Sequence, residues 1–447
     1  MKRLALGVVG LVLSVTIGVA QAPRPAESLD QALTAFWSAN DVGQAEGRID
    51  RIVRTGAPFD VIYAHIQQGK HYSPQPSGVS EMPTSINGTL LDNTIDVPVG
   101  YTPDRKWPLR VQLHGGVGRE APRPGQPTPQ GRGGRGGLTT NRIPTAEPQI
   151  VLQPRAYLEM EWWRSSQVDN VMKLMDAIKR KYNVDENRVT MAGASDGGTG
   201  VWFWAMRQAT PLANCTILIG HPLVLANPDT GAEQQLYPTN AVNCPVFAVN
   251  GGMDPLYPAD SVVPFVRMYE RAGVDIVHHI HPDAGHTTSW WPEERPLFET
   301  WASTRPRTPH PARLSWETDR TDRYNREKWL VINALGPRPS DVALPDVNTI
   351  QTGAGQRPVF ERRRQTGRVD VTRLGNAFEA RTRGVRQFTL LVSPEVVDFS
   401  KPMTVTVNGR QVVSELIPKS VETLMKWNAR DNDRTMLYAA ELTIAVP

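Results

Sequence analysis

The stretch of sequence that decides the fold is RVTMAGASDGGTG, residues 188–200. Its first five residues are mostly apolar or β-branched and predict a buried strand that ends at Gly193. A helix is predicted to begin at Asp196. The sequence therefore places Ser195 on a tight turn between a strand and a helix, with Gly193 and Gly197 two residues to either side, which is the pattern of an exposed nucleophile.

A serine hydroxyl is a weak nucleophile by itself, so a general base and an orienting acid are needed. Asp254 ends the glycine-rich run NGGMD, residues 250–254, which follows a predicted strand. His286 follows the last predicted strand of this region, in AGH, residues 284–286. The order Ser195, Asp254, His286 predicts a catalytic triad.

Three other carboxylates compete with Asp254 for the role of the acid. Asp229 lies in a predicted insertion between strands, and Asp260 lies at the start of the next predicted helix. Asp283 is too close to His286 in the sequence to come from another strand end. We therefore favour Asp254, because the acid of this arrangement belongs on the loop after a strand.

Strands and helices alternate from about Ser85 to about residue 304. The predicted strands are 94–99, 109–113, 150–152, 188–192, 216–219, 246–249 and 274–279, and the predicted helices include 165–182 and 259–272. Alternation of this kind, with apolar strands buried on both faces, predicts a mostly parallel α/β sheet.

With these motifs in place, the chain resembles the α/β-hydrolase-fold serine hydrolases over about residues 85–304. The run YNVDENRV, residues 182–189, leads into the Ser195 turn. It is similar to secreted esterases of the feruloyl-esterase and polyhydroxybutyrate-depolymerase type and to the catalytic domain of prolyl oligopeptidases. The resemblance implies an ester or peptide substrate, plant-derived and polymeric esters included, and no cofactor or metal.

The resemblance also implies two backbone donors for an oxyanion. One is the amide of Asp196 at the helix start, and the other is the amide of Gly116 in HGG, residues 114–116. The choice among Gly115, Gly116 and Val117 stays open from the sequence. The Asp196 side chain either contacts a polar substrate group or caps the helix, and we favour the cap.

Several other side chains near these motifs have two interpretations. The pairs Trp162-Trp163 and Trp290-Trp291 suit either substrate stacking, which makes Trp163, Trp290 and Trp291 candidate substrate contacts, or core packing. A histidine-rich strand, with His278, His279 and His281, invites a metal interpretation, but no Cys or Glu pattern accompanies it. Cys215 and Cys244 are predicted on neighbouring strands, either as a disulfide or as two buried thiols.

Composition sets broader limits. The 447 residues carry 49 Lys+Arg against 45 Asp+Glu, a net charge of +4 that gives no argument for a nucleic-acid partner. At about 150 residues per domain, this length predicts about three domains. Residues 1–22 have a basic start, a short apolar run and a small-residue cleavage site, which predict a signal peptide, export to the periplasm or outside the cell, and no stable membrane anchor.

The remaining segments complete the predicted organisation. We expect a helical N-terminal segment over 23–84, the catalytic α/β domain over 85–305 and a β-rich, sandwich-like domain over 306–447. Residues 117–148 are rich in Gly, Pro and Arg and predict a flexible insertion. Its run GRGGRGG, residues 131–137, resembles an RNA-binding segment, but an insertion in an exported enzyme is the better interpretation.

Overall fold

The structure of the chain is a computed structural model that describes residues 27–121, 144–230, 232, 235–337, 344 and 347–447. The predicted signal peptide, residues 1–22, lies outside the described residues, as does most of the predicted insertion, with its GRGGRGG run. In the part of the chain that is described, no helix is long and apolar enough to cross a membrane.

The N-terminal segment, as far as it is described, contains four short helices: α1 Leu29–Trp37, α2 Val42–Glu46, α3 Ile49–Val53 and α4 Phe59–Gln68. The first helix is capped by Ser28, whose side chain accepts a hydrogen bond from the amide of Gln31. Gly47 ends α2 and separates it from α3. The apolar faces of these helices pack against Leu424 and Met425 near the C-terminus.

Among the described residues before 306 there are ten strands: β1 Gly78–Glu81, β2 Thr84–Ile86, β3 Thr89–Leu91, β4 Thr94–Val97, β5 Trp107–Leu113, β6 Ile150–Gln153, β7 Val184–Ala194, β8 Asn214–Leu218, β9 Val246–Gly251 and β10 Ile276–His281. Strands β2 and β3 pair only with each other. The other eight form one sheet in the order β1-β4-β6-β5-β7-β8-β9-β10. Pairing is parallel from β6 to β10, whereas β4 is antiparallel to both its neighbours.

Helices flank this sheet: α5 Ser165–Lys181, α6 Asp196–Arg207, α7 Ala259–Ala272 and α8 Trp291–Ser303, with short 3-10 turns at Pro222–Ala226, Pro228–Thr230 and Pro238–Asn243. Every residue of β5, β6, β8 and β9 is buried. Complete burial is what a parallel sheet covered on both faces requires. The predicted mostly parallel α/β sheet is confirmed, and its carboxyl edge gathers the loops that carry the predicted site.

The segment after residue 306 is β-rich, as predicted. Its elements are β11 Arg313–Thr318, β12 Arg326–Glu327, β13 Leu330–Leu335, β14 Thr349–Thr352, β15 Gly355–Pro358, β16 Gly367–Leu374, β17 Ala377–Arg383, β18 Val385–Val392, β19 Met403–Val407, β20 Arg410–Glu415, α9 Val421–Asp431 and β21 Ala440–Ala445. Two sheets, β11-β16-β17-β19-β20 and β12-β13-β18-β21, share one hydrophobic core. A two-residue turn at Asn408-Gly409, with positive φ at both residues, joins β19 and β20 in a hairpin.

Buried ion pairs join this β-rich segment to the α/β part. Arg207, at the end of α6, contacts Asp319 at 2.8 Å, and the two side chains are 4% and 0% exposed. Arg434 contacts Glu186 in β7 at 2.6 Å and is likewise buried. Removal of either partner of such a pair would leave an unpaired buried charge, which is strongly destabilising. The two parts therefore share a fixed interface.

Candidate active site

Ser195 lies at the turn between β7 and α6, where the sequence predicted it. Its φ of 57° and ψ of −123° put it in a region that non-glycine residues rarely occupy. A Cβ added to Gly193 would stand 2.2 Å from the carbonyl oxygen of Gly197, and one added to Gly197 would stand 2.2 Å from that of Leu113. Both glycines are therefore required for the close packing that forces Ser195 into this strained conformation.

The structure brings Ser195, His286 and Asp254 together in one hydrogen-bonded line. Nε2 of His286 lies 2.9 Å from Oγ of Ser195, and Nδ1 of His286 lies 2.7 Å from Oδ2 of Asp254. These residues come from the loops after β7, β9 and β10. Such a line can move a proton from a hydroxyl to an imidazole and hold the resulting charge.

Asp254 is fully buried and held as a carboxylate. Its second oxygen, Oδ1, accepts hydrogen bonds from the amides of Leu256 and Tyr257 at 2.8 and 2.9 Å. Burial raises the pKa of Asp254, but the Tyr257 amide, His286 and the Leu256 amide outweigh it, so the pKa lies below its ordinary value. The acid is therefore ionised at neutral pH and faces His286 with one fixed oxygen.

The three competing carboxylates lie elsewhere. Asp229 sits in a 3-10 turn, Asp260 is exposed in the first turn of α7, and Asp283 is exposed on the loop after β10. Within the described residues, Asp254 is the carboxylate that contacts His286.

Backbone amides near Ser195 are the candidate oxyanion donors. The Ser195 amide itself donates to the carbonyl of Leu218, and the Val117 amide donates to Oδ2 of Asp196 at 3.0 Å. Neither Gly116 nor Asp196 donates its backbone N–H to another of the residues that the structure describes. The sequence left Gly115, Gly116 and Val117 as alternatives for the second oxyanion donor, and the amide of Val117 already donates to Asp196.

The side chain of Asp196 corrects one expectation. The sequence favoured a helix cap, but no side chain among the described residues caps the start of α6. The Asp196 carboxylate instead accepts the hydrogen bond from Val117, and the hydroxyl of Tyr257 lies 3.4 Å from its other oxygen. Asp196 thus contacts two loops that no sequence pattern connects with it.

His114 fixes the loop after β5 from the other side. Its Nδ1 lies 2.9 Å from the carbonyl oxygen of Gly115, and its Nε2 accepts a hydrogen bond from the amide of Ala156. Burial lowers the pKa of His114 to about 4, so the ring is neutral at physiological pH. Because the C=O and N–H of a trans peptide point in opposite directions, this contact turns the Gly116 N–H away from His114.

The tryptophan pairs are buried. Trp163, Trp290 and Trp291 are 5%, 5% and 3% exposed and belong to hydrophobic clusters. Trp290 stacks on His281 with the rings 8° from parallel, and Trp162 donates its indole N–H to the carbonyl of His114. These positions fit the packing interpretation, and Trp162 supports the loop that carries Gly116.

The histidine-rich strand has a carboxylate partner that the sequence pattern did not reveal. His279 and His281 each lie 2.8 Å from one oxygen of Glu294, in α8. His278 lies 3.2 Å from the side-chain oxygen of Asn250. Across the described residues, no group of three or more His, Cys, Asp or Glu side chains has the geometry to hold a metal ion.

Cys215 and Cys244 are free, buried thiols that contact each other. Burial raises the pKa of the Cys215 thiol, and the neighbouring thiol raises it further. The structure therefore has the pair as two buried thiols, which is one of the two arrangements that the sequence left open.

Sequence reasoning missed two residues around the triad. Tyr257 donates its amide to Asp254 and places its ring edge-on to His286, with the ring centres 5.5 Å apart. His221, on the loop after β8, is buried beside Tyr257 and lies 3.0 Å from the hydroxyl of Ser261. Both lie on loops that begin at the carboxyl ends of strands, which was the only signal available for them.

Comparison with known proteins gives a family match for part of the chain. Residues 142–293 match the model of the dienelactone hydrolase family, and this range contains Ser195, Asp254 and His286. The match supports hydrolase activity. No curated protein matches the chain.

Solved structures show a partial likeness to about half of the chain. A thermostable esterase is 20% identical over 51% of this chain and 63% of its own, with a TM-score of 0.39. Esterase 2 of Thermogutta terrifontis, phosphorylated by paraoxon, is 11% identical over 52% and 95%, with a TM-score of 0.39. The acylaminoacyl peptidase of Pyrococcus horikoshii is 12% identical over 52% and 42%, with a TM-score of 0.37.

This chain thus spans 63% of the thermostable esterase and 42% of the peptidase, and likeness at this level carries no argument about substrate. The family match and the sheet order confirm the predicted fold class. The chain carries an α/β-hydrolase domain that resembles the dienelactone hydrolase family over residues 142–293.

Proposed function

We propose that the protein is a serine hydrolase that cleaves carboxylic esters through an acyl-enzyme on Ser195. The observation that carries this proposal is the line from Ser195 through His286 to the buried Asp254, with contacts of 2.9 and 2.7 Å. Each contact lies within the range that proton transfer requires.

In the first half of the reaction, Oγ of Ser195 attacks the ester carbonyl carbon and its proton passes to Nε2 of His286. Asp254 stabilises the imidazolium that forms. The carbonyl oxygen takes up the negative charge, and the amides of Gly116 and Asp196 hold it, helped by the positive end of α6. The C–O bond then breaks, and the alcohol leaves with the proton from His286.

In the second half, water attacks the acyl-enzyme. His286 takes a proton from the water, and the same two amides hold the second oxyanion. The bond to Ser195 breaks, Oγ recovers a proton from His286, and the carboxylic acid is released. No step needs a group beyond the residues named.

Exposed apolar side chains on the site loops support an ester with an apolar part. Met253 and Leu256 flank Asp254 and are 70% and 63% exposed, and Leu223, on the loop beside it, is 47% exposed. Single exposed apolar residues are ordinary, but a group on adjoining loops is typical of a binding surface. We infer that an apolar acyl or alcohol group contacts these residues.

Export to the periplasm or outside the cell is part of the proposal and is supported by the sequence of residues 1–22. We also propose that the segment from about 306 to 447 serves as a wall that covers part of the α/β domain. The buried pairs Arg207–Asp319 and Arg434–Glu186 link this segment to the α/β domain. They support the role of a wall in preference to that of a detachable module that binds a polymer. Truncation near residue 306 should therefore give an insoluble or unfolded product, whereas a soluble and fully active remnant would contradict the wall.

The test of the proposed activity is a substrate panel. Short p-nitrophenyl esters are compared with prolyl peptide anilides, and the Ser195→Ala variant is the control for background hydrolysis. We expect ester cleavage that depends on Ser195. Preferential cleavage of the anilides would favour a peptidase similar to prolyl oligopeptidase, and no turnover of either would favour a catalytically silent polysaccharide-binding protein.

A further inference from the structure

The Asp196 carboxylate joins three loops of the candidate site. It belongs to the residue directly after Ser195, and its Oδ2 accepts the hydrogen bond from the Val117 amide at 3.0 Å. Its Oδ1 lies 3.4 Å from the hydroxyl of Tyr257, on the loop that carries Asp254. The loops after β5, β7 and β9 thus meet at one side chain.

The loop after β5 depends on this contact. Gly115 lies against the nucleophile, since a Cβ on it would stand 2.9 Å from the Cβ of Ser195. His114 holds the carbonyl of Gly115, and Asp196 holds the amide of Val117 two residues further along the chain. Gly116 lies between these two attachment points and has a positive φ of 72°. Removal of one attachment point leaves the orientation of the Gly116 amide less determined.

The loop after β9 is tied in through Tyr257. Its amide donates to Asp254, its ring lies edge-on to His286, and its hydroxyl lies 3.4 Å from Oδ1 of Asp196. Burial raises the pKa of Tyr257, and the charges of Asp196 and Asp254 raise it further. Tyr257 therefore remains a neutral phenol that can donate a hydrogen bond to the Asp196 carboxylate.

A carboxylate beside an oxyanion site has an electrostatic cost. Its negative charge repels the charge that develops on the substrate carbonyl oxygen, so a site selected for charge alone would not contain it. The two donors on Asp196 reduce this repulsion, and a hydrogen bond to an ionised acceptor is stronger than one to a neutral acceptor. This electrostatic cost is explained if the carboxylate positions the loop after β5.

We propose that the Asp196 side chain is a positioning residue that holds the Gly116 amide in place for the oxyanion. This inference rests on the proposed serine-hydrolase function, in which Gly116 and Asp196 supply the two amides. It assigns to the Asp196 side chain a role distinct from that of its backbone.

The experiment measures two quantities in wild type and variants. One is the split between kcat and KM for a p-nitrophenyl ester, and the other is the inhibition constant of a matched trifluoromethyl ketone, whose adduct with Ser195 carries an oxyanion. Asp196→Ala should lower kcat about 10- to 100-fold with KM little changed, and should weaken the ketone by a similar factor, since loss of one oxyanion donor costs about 10²- to 10³-fold. A role in folding alone would leave both quantities unchanged in the folded fraction.

Two further variants sharpen the test. Asp196→Asn keeps an acceptor for the Val117 amide and should stay within about fivefold of wild type. Asp260→Ala removes an exposed carboxylate from the first turn of α7 and should change neither quantity. Should Asp196→Ala fail to fold, Asp196→Ser, which suits a first helical turn but is too short to reach Val117, carries the same expectation.

Two results would overturn the inference. If Asp196→Ala or Asp196→Ser keeps kcat and ketone affinity within about twofold of wild type, the carboxylate does not position the loop. If either variant raises kcat, the charge opposes catalysis and has no positional benefit. Failure of the proposed function would be distinguishable from these results, because wild type would then hydrolyse the ester no faster than Ser195→Ala.

Discussion

Replacement of Asp254 by Asn would change the protonation of His286 while leaving the shape of the site intact. Oδ1 of Asp254 accepts two amide hydrogen bonds, from Leu256 and Tyr257, in a fully buried position. An Asn side chain must keep its oxygen there, since an NH2 group facing two N–H donors would cost about 1–3 kcal/mol for each unsatisfied group. The NH2 group of the introduced side chain is therefore forced to face His286.

This orientation determines the size of the effect. Nδ1 of His286 must then accept a hydrogen bond, so the ring proton resides on Nε2, and Nε2 cannot take the proton of Ser195. Loss of the productive tautomer in a triad costs about 10⁴-fold in kcat, or about 5 kcal/mol of transition-state stabilisation. KM should change little, because Asp254 is buried and does not reach the substrate.

The assay is steady-state hydrolysis of a p-nitrophenyl ester, with circular dichroism to confirm folding. Asp260→Asn is the matched control, since it makes the same change at an exposed carboxylate nearby and should keep activity within about twofold. Activity of Asp254→Asn within about tenfold of wild type, or a crippling effect of Asp260→Asn or Asp229→Asn, would refute the assignment of the acid.

Three further results are expected. Ser195→Ala and His286→Ala should each lower kcat of ester hydrolysis about 10⁶-fold, which is more than the loss expected for Asp254→Asn, and wild-type activity in either variant would exclude that residue from the chemistry. Gly197→Ala should abolish activity because its Cβ would stand 2.2 Å from a backbone oxygen, whereas Gly118→Ala, with nothing within 4 Å, should not; equal activities would contradict the close packing at the turn. Burial lowers the pKa of His310 from 6.5 to about 4. As the pH falls from about 6.5 to about 4, His310 is therefore protonated in the unfolded chain but not in the folded one, and the free energy of unfolding decreases by up to about 3 kcal/mol. In urea unfolding, the free energy of unfolding of His310→Phe should decrease less than that of wild type between about pH 7 and about pH 4. The same decrease in both proteins would contradict this prediction.

The parts of the fold that the sequence predicted are those with strong local patterns. Strands such as β5, β8 and β9 are short runs rich in apolar and β-branched residues and are bounded by turns. Strands β1, β2 and β3 were missed because they have only three or four residues each, which is too short for a periodicity to be detected, and every residue of β1 is exposed.

The sequence likewise predicted only part of the candidate site. Ser195, Asp254 and His286 each follow a recognisable strand and a glycine, so their meeting point could be predicted from the order of the elements. The contacts of Asp196 could not, since Val117 and Tyr257 are 79 and 61 residues away in sequence. Nor could the residue type alone show that Trp163, Trp290 and Trp291 face hydrophobic clusters, because an indole ring suits a core and a substrate surface equally.

The central claim is that Ser195 is the nucleophile, and covalent labelling tests it most directly. The protein is treated with a fluorophosphonate, digested and analysed by mass spectrometry, with Ser195→Ala and a known serine hydrolase as controls. We predict a single phosphonyl adduct on the peptide that contains Ser195, absent from Ser195→Ala and formed much more slowly by His286→Ala. An unlabelled Ser195 under conditions that label the control enzyme, or an adduct on another residue, would contradict the claim.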